Sequence, residues 1–385
     1  MKISILWDVL DKPIGGGNQF LRALRNQLIK KGLYVHNPKE ADCLIFNSYH
    51  NVDLVLQLKL EFQNRKIFIH RIDHPLFYIK RKKRKINPNI YKLNKIIADG
   101  TIFQSKWCKR DNYTFGYKKN SFETIIMNAV DPDIFFSKDT LNERNRTKQK
   151  YELVAVSWSE NFIKGFDLYR FLDENLDFNL YSMTFIGKSP ITFKNIKHIN
   201  PVKSKELAIL LREKDIYITG AMKEHCSNSL IEALSCGLPS VALESGSLPE
   251  ILKKGGETFK TYEECLEKIQ LVKSNILKYR ENISLSEIEK IANKYIKFIE
   301  KIYQLQLSKK YKGKILRKFE YYKIIYKFGI YQIKNSQSLF LEFFRRIIFL
   351  KEFIRIIRKK KRDNKDYKKK RKFIKKNKRI ILFNN

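Results

Sequence analysis

One rhythm constrains this chain more than any other feature: short apolar runs alternate with helix-length amphipathic stretches, and they do so in two blocks. In the first block, ISILW, CLIFN, KIFIHRI, GTIFQS and ETIIMN have the length and apolar content of buried strands. Between them FLRALRNQLIKKG, LVLQLKLEFQ and NIYKLNKIIA read as helices, the first stopping at Gly32. Strand–helix–strand at this spacing builds a parallel sheet covered on both faces. The polar stretch SKDTLNERNRTKQK interrupts the rhythm and reads as an interdomain linker or surface loop. The rhythm resumes with YELVAVS, a helix from Gly165 to Glu174, SMTFIG, IKHIN, KELAILLREK and DIYITG. A helix from about Ser227 to Cys236, the strand PSVAL and helical stretches from Tyr262 to Gln304 follow. The expected organisation is α/β: Rossmann-like domains at 1–136 and 151–304, a linker at 137–150, and a tail at 305–385. Two such domains leave a cleft faced by the carboxyl ends of their strands.

The tail differs in composition. From Lys301 to Asn385 there are 29 Lys/Arg against 5 Asp/Glu, a net of +24 within a chain total of +38. Its segment LFLEFFRRIIFLKEFIRIIRKKKR can gather Phe340, Phe343, Phe344, Ile347 and Ile348 on one helix face flanked by bases. Such a segment calls for a polyanion: an anionic membrane, a phosphorylated acceptor or nucleic acid. An AT-rich codon bias also raises Lys, but would not by itself suppress Glu in the tail. A second basic run, KRKKRK at Lys80–Lys85, reads either as a solvated loop or as a phosphate contact.

Other classes are excluded more directly. The five cysteines, Cys43, Cys108, Cys226, Cys236 and Cys265, are scattered without metal-ligand spacing, so neither a disulfide framework nor a zinc site is expected. MKISILWDV lacks a signal peptide's apolar core and reads as a first strand. No run approaches the ~18 apolar residues of a spanning helix.

The segment richest in chemistry is TGAMKEHCSNSLIEALSCGLPSVALESGSLPEIL. Glu224 and Glu232 flank Cys226-Ser227-Asn228-Ser229, a good helix start, where exposed N–H groups and the positive dipole end suit an anion. Carboxylates accept hydrogen bonds from sugar or ribose hydroxyls. By spacing alone, an amphipathic helix with two solvated glutamates fits equally well. The whole segment, however, resembles the donor site of retaining glycosyltransferases of the GT-B fold, family 4. In them two glutamates eight apart precede A-x-x-x-G-x-P, matched here by Glu224, Glu232, Ala233, Gly237 and Pro239; SGSLPEIL resembles their loop ending in Pro-Glu (Pro249, Glu250). The resemblance implies that Glu232 binds the donor ribose, that Glu224 contacts the sugar, and that Ser227, Asn228 and Ser229 line the diphosphate.

Three further places agree with it. GGGNQF (Gly15, Gly16, Gly17, Asn18) follows the first strand and opens a helix; a tight βα turn explains it in isolation. By resemblance the glycine backbone approaches the donor phosphates, since a Cβ would hold it away. IHRIDHP resembles H-R-I-D-G-P of the family, with His74 in place of the usual Gly; His70 would face the transferred sugar, and Asn18, Arg71 and Asp73 the acceptor. A lone histidine at a strand end also serves structure. VSWSENFIKGF resembles G-R-x-x-x-x-K-G, in which Lys164 binds the diphosphate and Gly165 opens a helix, but Trp158 or Ser159 stands near the expected Arg. Asn128 and Asp131, in IMNAVDPDIF, are expected to be structural.

The resemblance covers about Met1 to Gln304 and implies sugar transfer with retention, catalytic roles for His70, Glu224 and Lys164, and no metal or other cofactor. The expected partners are a nucleotide-sugar donor, a glycan or lipid-linked acceptor in polysaccharide or lipopolysaccharide synthesis, and an anionic membrane met by 305–385 at the cytoplasmic face. The rivals are a basic nucleic-acid-binding protein, which lacks any recognisable nucleic-acid motif here, a non-catalytic GT-B scaffold, and a GT-B epimerase.

Overall fold

A computed structural model of the chain describes residues 1–7, 16–73, 75, 86–137, 150–333 and 354–355. Gly15, His74, the basic run 80–85, most of the linker and the aromatic face at 340–348 lie outside the described residues.

The first block contains β1 (Ile3–Ile5), α1 (Gly16–Lys30), β2 (Cys43–Asn47), α2 (Val52–Phe62), β3 (Ile67–Ile72), α3 (Ile86–Ile97), β4 (Gly100–Phe103), α4 (Lys106–Thr114) and β5 (Phe122–Ile125). The strands pair in parallel in the order β1-β2-β3-β4-β5. After α1 the chain makes a single parallel bridge, Tyr34 to Ile3, on the far side of β1. Gly32, at φ +66°, makes the turn into that segment. Chain order therefore reverses at β1, and the α1 start lies at that reversal.

The second block contains β6 (Tyr151–Ser157), α5 (Phe166–Asn175), β7 (Tyr181–Gly187), β8 (Lys197–Ile199), α6 (Ser204–Arg212), β9 (Ile216–Thr219), α7 (Asn228–Ser235), β10 (Ser240–Leu243), α8 (Leu248–Leu252), β11 (Gly256–Phe259), α9 (Tyr262–Ser274) and α10 (Ile276–Glu281). Its parallel sheet has the order β11-β10-β9-β6-β7-β8 and reverses between β6 and β9. A crevice outside the carboxyl ends of strands at such a reversal is where open α/β sheets bind ligands.

One domain limit is corrected. Helix α11 (Ile288–Leu307) was expected in the second domain, but it packs on the first sheet. Its Ile291, Tyr295, Ile299 and Ile302 join Phe20, Leu24, Ile45 and Ile69 in one buried cluster. Burying an Ile contributes roughly 1.5–3 kcal/mol. The Lys31–Glu289 pair lies open to solvent, where ion pairs add little, so apolar packing decides where α11 lies.

The next residues are also held there. The Tyr311 hydroxyl (2.8 Å) and the Lys314 backbone N–H (3.1 Å) donate to Asp99. Asn64 donates to the Lys312 carbonyl at 3.0 Å. The compact unit thus runs through Ile315, and the tail begins there rather than at 305. In the unit from Leu316, α12 (Lys318–Ile333) is helical. Among the described residues no helix is long and apolar enough to cross a membrane.

Candidate functional site

The carboxyl ends of both sheets meet along a groove of about 340 Å³. From the first sheet come Trp7, Gly16, Gly17, Asn18, Asn47, His50, Arg71 and Asp73; from the second come Trp158, Ser159, Lys164, Glu224, His225 and Ser227 to Ser229. A larger cavity of about 410 Å³ lies where the chain crosses between sheets, lined by Val130, Phe135, Leu234 and Ile283 among others. Volume does not choose between them. Convergent charge and helix ends do, and these belong to the groove.

Two helix N-termini face each other in it. Gly16 opens α1 and Asn228 opens α7, and a Cβ on Gly16 would fall 2.2 Å from the Asn228 Cβ. Gly17 has open space beside it. The Ser227 hydroxyl caps α7 by accepting from Leu230 N–H, and Ser229 Oγ lies 3.0 Å from the Tyr217 hydroxyl. The first-turn amides of a helix have no partner within the helix itself, and together with the two dipoles they make this junction favourable to an anion.

Lys164 ends the turn after β6. Gly165 follows at φ +93°, where a Cβ would strike the Gly220 backbone at 2.5 Å. The Met222 N–H donates to the Ile163 carbonyl at 2.7 Å, binding this turn to the loop after β9. Lys164 Nζ consequently forms a close ion pair with the Glu224 carboxylate. Glu224 itself follows Lys223, whose φ is +55°.

Glu232 is different. It sits in the second turn of α7, 2% exposed, and does not line the groove surface. Its Oε2 has no hydrogen-bond partner among the described residues, and burial pushes its carboxyl up to about pKa 8. A buried acceptor without a donor is costly, and such groups point to a ligand or to protonation.

On the other wall, Arg71 donates to Asn47 Oδ1 at 2.5 Å, Asn128 Oδ1 at 2.7 Å and Gln104. Its guanidinium stands 5.0 Å from the Phe20 ring. Asp73 accepts from Gln104 at 2.7 Å and Asn47 at 3.2 Å, and lies 3.6 Å from Arg71. Asn18 is buried and accepts from the Trp7 indole N–H at 3.3 Å. Asn128 also bridges the sheets, donating to Asn228 Oδ1 at 2.9 Å.

His70 is a correction. Strand alternation puts Arg71 on the groove side and turns His70 to the opposite face, where it is fully buried and stacks on Phe46. Its Nε2–H donates to the Ser48 carbonyl at 2.8 Å, and its Nδ1 accepts from Asn94 at 3.1 Å. That pairing defines one neutral tautomer, and burial lowers the pKa to about 4. With both nitrogens occupied by the protein, His70 has none to offer a sugar.

Two other histidines line the groove instead. His225 Nε2 lies 3.7 Å from Asp73 Oδ1; burial lowers its pKa, while Asp73 and Glu224 oppose the shift. The His50 ring packs edge-on to Trp7 at 4.4 Å. Both follow strand ends, the position that could have identified them. Among the described residues no group of three His, Cys, Asp or Glu is placed to hold a metal, and all five cysteines are buried.

Comparison with known proteins then identifies the helix–groove segment. Residues 192–286 match the family model of glycosyl transferases group 1. The match spans Lys164's partner Glu224, the α7 start and Glu232. The two-sheet architecture is that of the GT-B fold: sucrose-phosphate synthase from Thermosynechococcus elongatus superposes with a TM-score of 0.62 at 13% identity, covering 79% of this chain and 99% of that one. HepE from Anabaena, crystallised with UDP-glucose, superposes at 0.58 and 14% identity, covering 80% and 100%. An uncharacterised 41.2 kDa protein in the cps region of Klebsiella pneumoniae is 25% identical over 190 residues, 46% of this chain and 52% of that protein. The chain spans about half the length of the curated relatives it matches.

Proposed function

We propose that this chain is a glycosyltransferase that moves a sugar from a nucleotide-sugar donor to a glycan or lipid-linked acceptor. The observation that carries this reading is the unpartnered, buried Glu232 carboxyl one helical turn behind the paired N-termini of α1 and α7. A nucleoside diphosphate matches that arrangement in order: ribose hydroxyls for Glu232, diphosphate for the helix starts and Lys164, sugar hydroxyls for Glu224. The group 1 match over the same residues supports it.

Chemically, departure of the diphosphate needs positive potential that is already in place. Lys164, the Gly16–Gly17 backbone and the Ser227–Ser229 turn supply it, and such preorganisation accounts for much of the acceleration in many enzymes. Lys164 is held by Glu224 beforehand, so donor phosphate and Glu224 share one cation. Neither glutamate acts as one half of a hydrolase acid/base pair, because both stand on the donor side. Transfer proceeds with retention, the leaving phosphate taking the acceptor proton, and without a metal.

Arg71, Asn18 and Asp73 form the acceptor wall, Arg71 chiefly by holding Asn47, Gln104 and Asn128 in place. The Klebsiella relative's description, a protein in the cps region, supports a polysaccharide setting. The net +19 of residues 316–385 supports binding to an anionic inner leaflet, at roughly 1 kcal/mol per basic residue near the surface. The pairing of Lys164 with Glu224, with no Arg near Ser159, favours a second reading, a donor-binding scaffold without turnover. Incubation with UDP- and GDP-sugars separates the two: release of nucleotide that Glu232→Ala abolishes supports the enzyme. Binding without any release supports the scaffold, and neither binding nor release defeats both.

A further inference from the structure

The Pro-Glu of SGSLPEIL has no part in the donor site described above. In the structure its Glu250, on α8, reaches across to the first sheet's α4. Oε2 accepts from the Lys106 N–H at 2.9 Å and Oε1 from the Trp107 N–H at 2.6 Å. These are first-turn amides of α4, which have no partner inside their own helix. No acidic residue stands in that first turn, and Lys106 adds a positive charge, so Glu250 supplies the anion the helix dipole lacks. The α4 cap joins the same contact: Ser105 Oγ accepts from Cys108 N–H at 2.9 Å and donates to the His225 carbonyl at 2.6 Å.

The other end of α8 is bound to Glu224. The Ser247 N–H donates to the Glu224 carbonyl at 2.8 Å, and the Lys223 N–H donates to Ser245 Oγ at 2.9 Å. Gly246, at φ +62°, lies so close that a Cβ would fall 2.5 Å from the Glu224 nitrogen. One short rigid path therefore runs from α4 through Glu250 and Ser247 to Glu224 and His225.

We propose that Glu250 is a positioning residue: a latch that closes the second sheet onto α4 and, through the Ser245–Ser247 turn, sets Glu224 against the acceptor wall. The latch concerns domain closure and stands on the contacts above; its effect on transfer rests on the proposed function. Glu250→Ala removes both acceptors, and Glu250→Gln removes the charge while keeping one acceptor oxygen.

Because all five native cysteines are buried, nitroxide labels can be directed to cysteines introduced at the exposed Lys118, before β5 of the first sheet, and Lys254, before β11 of the second. Pulsed electron spin resonance on the full chain then reads the distance between the sheets. The expected result is a longer, broader distance in Glu250→Ala and an intermediate one in Glu250→Gln. With a donor that the parent turns over, transfer in Glu250→Ala falls by roughly tenfold to a hundredfold, as displaced catalytic groups cost. Donor affinity falls by less than transfer does, because Lys164, Glu232 and the Ser227–Ser229 turn all belong to the second block and stay together. Unchanged distances in both variants overturn the latch. Unchanged transfer in an opened variant overturns the positioning role. If Glu250→Ala does not fold, Glu250→Gln carries the same test. If no donor binds the parent, the proposed function fails, while the distance measurement still decides the latch.

Discussion

Gly16 and Asn228, the first residues of α1 and α7, abut so closely that one added methyl group on Gly16 would lie 2.2 Å from the Asn228 Cβ. Two helices from two sheets thereby present their positive ends to one space. Gly16→Ala is expected to force them apart, costing about 1–3 kcal/mol of stability, as overpacking does. Thermal melts check this, with donor binding falling alongside. Adding Asn228→Gly removes the opposing Cβ, so the double variant should recover part of the lost melting temperature.

Glu232 predicts a pH dependence. Its folded pKa, about 8, lies above the ordinary carboxylate value. Below the ordinary value both folded and unfolded chains are protonated, and the contribution to stability is fully present. Between about pH 4.5 and 8 the unfolded chain ionises first, and stability falls by up to about 1.4 kcal/mol for each pH step of one. Glu232→Gln should therefore melt higher than the parent at pH 8 and show a smaller difference at pH 5. Donor hydroxyls favour the ionised form, so donor binding near pH 7 should release a proton, readable by calorimetry in buffers of different ionisation enthalpy.

Lys164 should matter to the donor and little to the fold. Its side chain is 32% exposed while Glu224 beside it is buried, and a pair with its cation in water contributes about 1 kcal/mol. Lys164→Ala is expected to leave the melting temperature nearly unchanged. It should weaken nucleotide-sugar binding by roughly tenfold to a hundredfold, the loss of one charge-assisted contact. Calorimetry on the parent and the variant gives both numbers.

His70 should behave in the opposite way. His70→Ala leaves the Ser48 carbonyl and the Asn94 amide without their buried partner, at about 1–3 kcal/mol. Urea titration should register that loss, while turnover per folded molecule stays close to the parent's.

The tail should bind membranes. Truncation after Ile315 keeps Tyr311 and Lys314 on Asp99, so the compact unit is preserved. Co-pelleting with anionic vesicles should fall in that truncated chain, and added salt should weaken it in the full chain. Pelleting that ignores both changes contradicts the membrane role.

Much of this architecture is legible because its causes are local. Buried parallel strands must be short apolar runs, so CLIFN and KIFIHRI declare themselves, and the Ser227–Ser229 turn announces a helix start beside an acidic pair. What sequence reading misplaces depends on non-local geometry. His70 and Arg71 are neighbours in one strand, and only the sheet's position decides which faces the groove. Helix α11 has the same amphipathic pattern whichever sheet it covers, so its return to the first core could not be read from its own residues. His225 escaped notice beside Glu224 because its partner, Asp73, lies on the other wall.

The most direct measurement is calorimetric titration of the full chain with a panel of UDP- and GDP-sugars, repeated on Glu232→Ala. The account predicts that at least one of them binds the parent and that the substitution weakens it by roughly tenfold or more. A panel that leaves the parent untouched, or a variant that binds as tightly as the parent, contradicts the assignment of the groove to a nucleotide-sugar.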